Sequence, residues 1–174
     1  MKKIIVVAAM VILSACQNNI EQIPAVEPPA TAKTQQIPDG VKIAGAVETL
    51  YVTPIAMPFQ ARMDTGAETS SLDANNIRPF ERDGEKWVSF DVINRKNGEK
   101  HHFEKPVKRR TTIVRIKHEE ARYVVNMSIK MGDELINAEF TLAERDKFNY
   151  QVLIGRNILN GRFIIDSSLE NTMH

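Results

Sequence analysis

Ala61-Arg62-Met63-Asp64-Thr65-Gly66-Ala67-Glu68-Thr69-Ser70 is the stretch that decides how this 174-residue chain is read. It follows a short apolar-alternating run, 59–63, and so reads as a strand that delivers an aspartate at its end. A hydroxyl residue and a glycine come at once after it. Each position suits one chemistry. An aspartate projecting into a cleft beside a second carboxylate shares a proton with it, so one acts as base toward a water and the other as acid toward a carbonyl. Thr65 is expected to hydrogen-bond locally and fix the loop, and Gly66 lets backbone approach a substrate chain closely. Asp, Thr and Gly are also turn residues, so taken alone the segment describes an ordinary strand end equally well.

A second segment, Tyr150-Gln151-Val152-Leu153-Ile154-Gly155-Arg156-Asn157-Ile158-Leu159, removes much of that ambiguity. Two apolar residues precede Gly155, and Arg156-Asn157 opens what reads as one short helix over 156–159. Asp-Thr-Gly-Ala early and Leu-Ile-Gly-Arg-Asn about ninety residues later resemble the retropepsin pattern of retroviral proteases. Further blocks bring the resemblance closer to the bacterial retropepsin-like family whose members are often labelled ATP-dependent zinc proteases. These are Ala61 through Ala67 with Thr69-Ser70-Ser71-Leu72, then Arg122-Tyr123-Val124-Val125, then Phe140-Thr141-Leu142 with Glu144-Arg145 leading into Leu153-Ile154-Gly155-Arg156. The similarity spans roughly 41–166. Glu144 stands where that family commonly has an aspartate, and Asn157 makes the late segment still more like the retroviral one.

The resemblance implies an all-β, six-stranded closed β-barrel with one short C-terminal helix. It implies an aspartic peptidase with Asp64 as the catalytic carboxylate, Thr65, Gly66 and Ala67 as its loop, and Leu153, Ile154, Gly155, Arg156 and Asn157 packed behind. It also implies a contact between Glu68 and Arg156, for which a bidentate arginine–carboxylate geometry is expected. The mechanism needs two aspartates and the chain has a single Asp-Thr-Gly, so a homodimer with Asp64 of each copy on the two-fold axis is expected. Ile164-Ile165-Asp166-Ser167-Ser168 also places an aspartate after apolar residues, but it lacks the glycine and reads as the domain's closing turn. The polar hairpin 94–99 lies where retropepsins carry a flap, and it reads equally as a plain exposed hairpin or as a lid over substrate.

Around these segments the pattern supports the same fold class. Runs at 41–47, 59–63, 86–93, 111–117, 122–130, 135–142 and 162–165 are rich in Val, Ile, Phe and Thr, and several alternate apolar with polar. Asp83-Gly84, Asn97-Gly98 and Gly132-Asp133 fall between them as turns. Short strands at close spacing indicate an all-β barrel or sandwich, here over 41–168 with a tail at 169–174.

The N-terminus reads differently. Lys2-Lys3, an apolar run over 4–13 and Leu13-Ser14-Ala15-Cys16 form a secretory leader with a lipoprotein cleavage box. That run is half the ~20 residues a membrane-spanning helix needs. Residues 1–15 are therefore expected to be removed and Cys16, the single cysteine, to carry lipid. Gln17 at the next position favours outer-membrane anchoring in the periplasm. Residues 17–40 contain four prolines and a polar majority, and read as an extended tether.

Composition excludes other classes. The formal net charge is +1, and loss of Lys2 and Lys3 leaves 21 basic against 22 acidic residues, so no nucleic-acid partner is expected. The basic stretch Lys105-Pro106-Val107-Lys108-Arg109-Arg110 reads as a solvated strand edge or a contact for an anionic envelope component. No His-Glu-x-x-His is present, and His101 and His102 on one strand would point to opposite faces, so no metal is expected. No phosphate-binding loop is present and no cofactor is expected. Gly-x-Ser-x-Gly is missing too. A peptide or protein is the expected substrate. The alternative is a silent retropepsin fold kept as an envelope scaffold or ligand-binding module.

Overall fold

Alternation along the chain sets the strands. In Phe59-Gln60-Ala61-Arg62-Met63 every second side chain is buried, and the intervening Gln60 and Arg62 are exposed. The structure is a computed structural model describing residues 37–115 and 118–173, so the leader, Cys16 and most of the tether lie outside the described residues. Its elements are β1 (Lys42–Val52), β2 (Phe59–Met63), β3 (Ser70–Asp73), β4 (Asn75–Arg82), β5 (Glu85–Ile93) and β6 (Lys100–Pro106). They continue with β7 (Arg109–Arg115), β8 (His118–Met131), β9 (Glu134–Ala143), β10 (Val152–Ile154), α1 (Arg156–Leu159) and β11 (Phe163–Glu170). The all-β class and the short helix agree with expectation. Four strands, β3, β4, β6 and the three-residue β10, were not among the expected runs.

Six strands pair in a ring. β1 lies antiparallel to β2, with Val47 opposite Arg62, and β2 runs parallel to β10, with Met63 opposite Ile154. β10 is antiparallel to β3, β3 parallel to β9 and β9 antiparallel to β8. β8 returns to β1 with Met131 opposite Leu50. β11 and β7 extend the sheet beyond the ring as its terminal strands. Leu50, Leu72, Met127, Ile129, Phe140 and Ile154 fill the interior and are essentially inaccessible to solvent. A separate sheet, β4-β5-β6, contributes Val88, Phe90, Val92 and Phe103 to the same apolar cluster. The expected Asp83-Gly84 turn joins β4 to β5, with φ of 54° and 77°, the left-handed pair that a tight two-residue hairpin needs.

The segment 164–168 is not a closing turn. It lies inside β11, which runs parallel to β1 with Asp166 opposite Gly45 and an irregularity between Gly45 and Val47. The cause is the otherwise unpaired start of β1 over 42–46, whose backbone groups need partners. Nor do residues after 168 hang free. Glu48, fully buried, accepts bonds from Gly45 N (2.6 Å), Thr172 Oγ1 (2.6 Å), Thr172 N (3.1 Å) and Met173 N (3.1 Å). Burial works to raise its pKa, but the Thr172 hydroxyl and the N–H groups of Gly45, Met173 and Thr172 outweigh it and hold the carboxyl below its ordinary value.

Candidate active site

Asp64 leaves the ring where β2 ends. Its N–H still donates to Ile154 O at 2.8 Å, after which the chain turns away from β10. The turn is made by the aspartate itself: Oδ1 accepts from Gly66 N at 2.9 Å and Ala67 N at 3.2 Å, a side chain standing in for a backbone turn. Oδ2 has no hydrogen-bond partner among the described residues. Asp64 is half-buried, and Thr65 and Gly66 are exposed.

Two expectations about this loop are corrected. The Thr65 hydroxyl makes no hydrogen bond among the described residues; the Thr65 carbonyl is what ties the loop down. Arg156 Nη1 donates to Thr65 O at 3.0 Å and to Gly66 O at 2.8 Å. The expected Glu68–Arg156 ion pair is accordingly not formed, and Glu68 stays exposed. The reason is the position of α1. Its first backbone N–H groups, on Arg156 and Asn157, donate to Ala67 O (2.8 Å) and Glu68 O (3.0 Å), which lays the Arg156 side chain over the loop's carbonyls.

The remaining late-segment residues assemble where the sequence placed them. Asn157 Oδ1 accepts from both Ser70 N (2.9 Å) and Ser70 Oγ (2.8 Å), and Asn157 Nδ2 donates to Glu139 O (2.9 Å). Ser70 Oγ accepts from Gly155 N at 3.0 Å. A Cβ on Gly155 would lie 2.8 Å from Thr69 C and 3.0 Å from Ala67 O, both backbone atoms, so no side chain fits there. Leu153 sits one step away, opposite Arg62 and Ser71. Ser70 is a positioning residue that sequence reasoning quoted but gave no role; a hydroxyl in an apolar-flanked strand was the available signal.

Beside this loop lies a cavity of about 340 Å³ lined by Ala67, Glu68, Thr69, Ser71, Thr141, Leu153 and three arginines. Asp64 is not in its wall; the cavity begins two residues past the Asp-Thr-Gly. Arg122 and Arg145 are each only 7% exposed. Arg122 is held by Glu120 through two bonds of 2.8 and 2.9 Å, and Arg145 Nε donates to Tyr150 O at 3.2 Å. Arg109, more exposed, bonds Glu139 (3.1 Å) and Thr69 Oγ1 (3.2 Å), which attaches β7 to the Asp64 loop. These guanidinium groups, two of them already paired with Glu120 and Glu139, give the cavity a polar wall among hydroxyls. The β7–β8 hairpin is one wall.

The hairpin 94–99 is not a lid on this site. Its exposed tip stands on a fixed base: Asn94 Nδ2 donates to Pro58 O (3.0 Å), Arg95 N to Gln151 Oε1 (2.9 Å) and Arg95 Nη2 to Asp73 Oδ2 (2.6 Å). Asp73 and Gln151 flank the Leu72–Val152 pair, so this base is at the opposite end of β3 and β10 from Asp64. Among the described residues no three His, Cys, Asp or Glu side chains converge as metal ligands. His102 Nδ1 instead meets Asp91 Oδ1 at 2.8 Å. Asn76, Lys100 and His102 together hold the Asp91 carboxyl far below the usual carboxylate range.

Comparison with known proteins adds an independent line. The profile of the RimB-like family, described as retropepsin-like aspartic endopeptidase RimB, matches residues 43–174. A probable alpha-L-glutamate ligase of Shewanella pealeana is 37% identical over 134 residues, covering 75% of this chain and 29% of the ligase. A protein of the same name from Desulfotalea psychrophila is 36% identical over 135 residues, 74% of this chain and 29% of its own length. This chain thus spans under a third of the curated relatives it matches. A Legionella pneumophila crystal structure of unknown function superposes with a TM-score of 0.65 at 30% identity, covering 76% of this chain and 98% of that one.

Proposed function

The chain belongs to the RimB-like family of retropepsin-like aspartic endopeptidases, and from that premise we propose that it hydrolyses peptide bonds with Asp64 as its catalytic carboxylate. The single observation that carries this reading is the arrangement of that carboxylate. Oδ1 is fixed by two backbone N–H groups while Oδ2 is left unbonded at a half-exposed position. The reading takes the six-strand ring as the retropepsin barrel, and it places Asp64 of a second copy against the first.

In that homodimer two facing carboxylates hold one proton between them. The ionised one removes a proton from a bound water as the water's oxygen attacks the peptide carbonyl carbon. The protonated one gives its proton to the carbonyl oxygen, and collapse of the tetrahedral intermediate releases the amine with a proton returned to it. Exposed Thr65 and Gly66 leave the loop open to a second copy. Exposed Ile43, Ile164 and Leu169 give the β1–β11 edge, which lies at the Asp64 end of β2, apolar surface to cover.

The arginine-lined cavity favours an acidic residue near the bond that is cut. The names of the ligase relatives make glutamate the first acid to test. Anchoring in the periplasm, at the outer membrane and through lipid on Cys16, completes the proposal.

The test offers glutamate-containing peptides and their alanine counterparts to the full chain and to Asp64→Asn. Cleavage by the wild type, lower by at least about 1,000-fold in Asp64→Asn with unchanged thermal melting, is the expected result. Equal cleavage by both removes Asp64 from the chemistry. Silence from both, with a monomer in solution, supports a scaffold instead.

A further inference from the structure

Strand β7 presents consecutive arginines to its two faces. Arg109 faces the cavity beside the catalytic loop, and Arg110 faces a second cavity, of about 280 Å³, formed with the β4–β5 hairpin. Phe80, Trp87 and Tyr123, all half-buried, wall this second cavity. Arg110 lies opposite Tyr123 in the β7–β8 register, and its guanidinium carbon sits 5.1 Å from that ring's centroid. Neither Arg110 nor Lys86, both exposed, has an ion-pair partner among the described residues. Glu81 lies opposite Lys86 across β4–β5 without closing a bridge to it. Among the described residues no strand pairs with the outer edge of β7, which leaves its backbone open to an added extended chain.

We propose that this aromatic and cationic groove is a docking site for an acidic, extended segment of the polypeptide substrate, outside the cleavage site. The inference rests on the acidic-peptide reading above and extends it to a distinct surface. A chain laid along the edge of β7 would send alternate side chains to the two faces. Carboxylates on one side would meet Arg110 and Lys86, and the other side would face the cavity that Arg109 lines. Charge complementarity favours the acidic occupant: Arg110 and Lys86, without ion-pair partners among the described residues, outnumber Glu81, the one carboxylate among the groove's lining residues.

Trp87 is the single tryptophan of the chain, so its emission reports on this groove. The full chain carrying Asp64→Asn is titrated with an oligoglutamate peptide long enough to span both cavities. A saturable change in Trp87 emission is expected, and the combined Arg110→Ala and Lys86→Ala change is expected to raise the apparent Kd by about tenfold. Arg110→Lys with Lys86 intact should retain most of the binding. With Asp64 restored, cleavage of a short glutamate peptide should not respond to the paired alanine change. An unaltered Kd in the paired variant overturns the docking site, as does a flat Trp87 signal. An equal response to a neutral oligosaccharide overturns it too. A Trp87 response without cleavage by the wild type leaves the docking site standing and sinks the peptidase. Cleavage with an unaltered Kd does the reverse.

Discussion

The short strands β3 and β10 end in an aspartate-centred knot on each side, and the two knots are finished differently. At one end Asp73, 3% exposed, spends both oxygens: Oδ1 on Arg145 N at 2.7 Å, and Oδ2 on Arg95 Nη2 at 2.6 Å and Gln151 Nε2 at 3.2 Å. At the other end Asp64 spends Oδ1 on Gly66 N and Ala67 N and leaves Oδ2 unbonded among the described residues. Both carboxylates are oriented by backbone donors. Asp73 joins three chain segments and has both oxygens engaged inside the fold. Asp64 keeps one oxygen unengaged among the described residues, at a loop whose carbonyls are gripped by Arg156. What separates the two knots is the unengaged oxygen of Asp64, since the residue type is the same, and the proposed function gives the chemistry to that oxygen.

The difference can be broken from the saturated side first. Asp73→Ala strands three donors, one of them charged, and should cost about 3–5 kcal/mol in urea unfolding. A loss within experimental error would show that the knot is ornamental. Gly155→Ala attacks the opposite end, pushing a methyl into the backbone of Thr69 and Ala67. It should cost about 1–3 kcal/mol and lower cleavage by displacing Asp64's loop; wild-type stability would mean the loop has room to move. The smallest effect extends the comparison to Asp91, another saturated carboxylate, held by Asn76, Lys100 and His102. Its depressed pKa means that its contribution is present above the ordinary carboxylate value and is lost as pH falls through the lower, folded value. Asp91→Asn should therefore be less stable than wild type by about 1 kcal/mol at pH 7 and pH 5 alike, with the gap closing only below about pH 4. A gap that already closes between pH 7 and 5 would contradict the assignment.

Residues whose role is set by their own neighbours in sequence were legible, and those set by a distant partner were not. Asp64-Thr65-Gly66 makes its turn with its own side chain, and Gly155 is required by an approach that the paired segments announce. The strands that alternate, β2 and β5 among them, could be read directly. β3 could not, because all four of its residues, two of them serines and one an aspartate, are buried and leave no period to see. β4 and β6 are edge strands with few buried side chains, each containing a proline that an edge tolerates. The hairpin 94–99 was recognised as a turn, yet only the long-range bonds to Asp73, Gln151 and Pro58 decide which end of the ring it closes. Arg156 was rightly marked as a clamp and wrongly given Glu68, since the seating of α1 on Ala67 and Glu68 carbonyls fixes where its guanidinium reaches.

Shared chemistry between two copies is the claim from which the rest descends. Wild-type chain is mixed with Asp64→Asn at constant total concentration, allowed to exchange, and assayed on an acidic peptide. If each site draws one aspartate from each copy, activity follows the square of the wild-type fraction, so an equal mixture retains about one quarter. Activity that stays proportional to the wild-type fraction would place a complete site in each single chain and contradict the account.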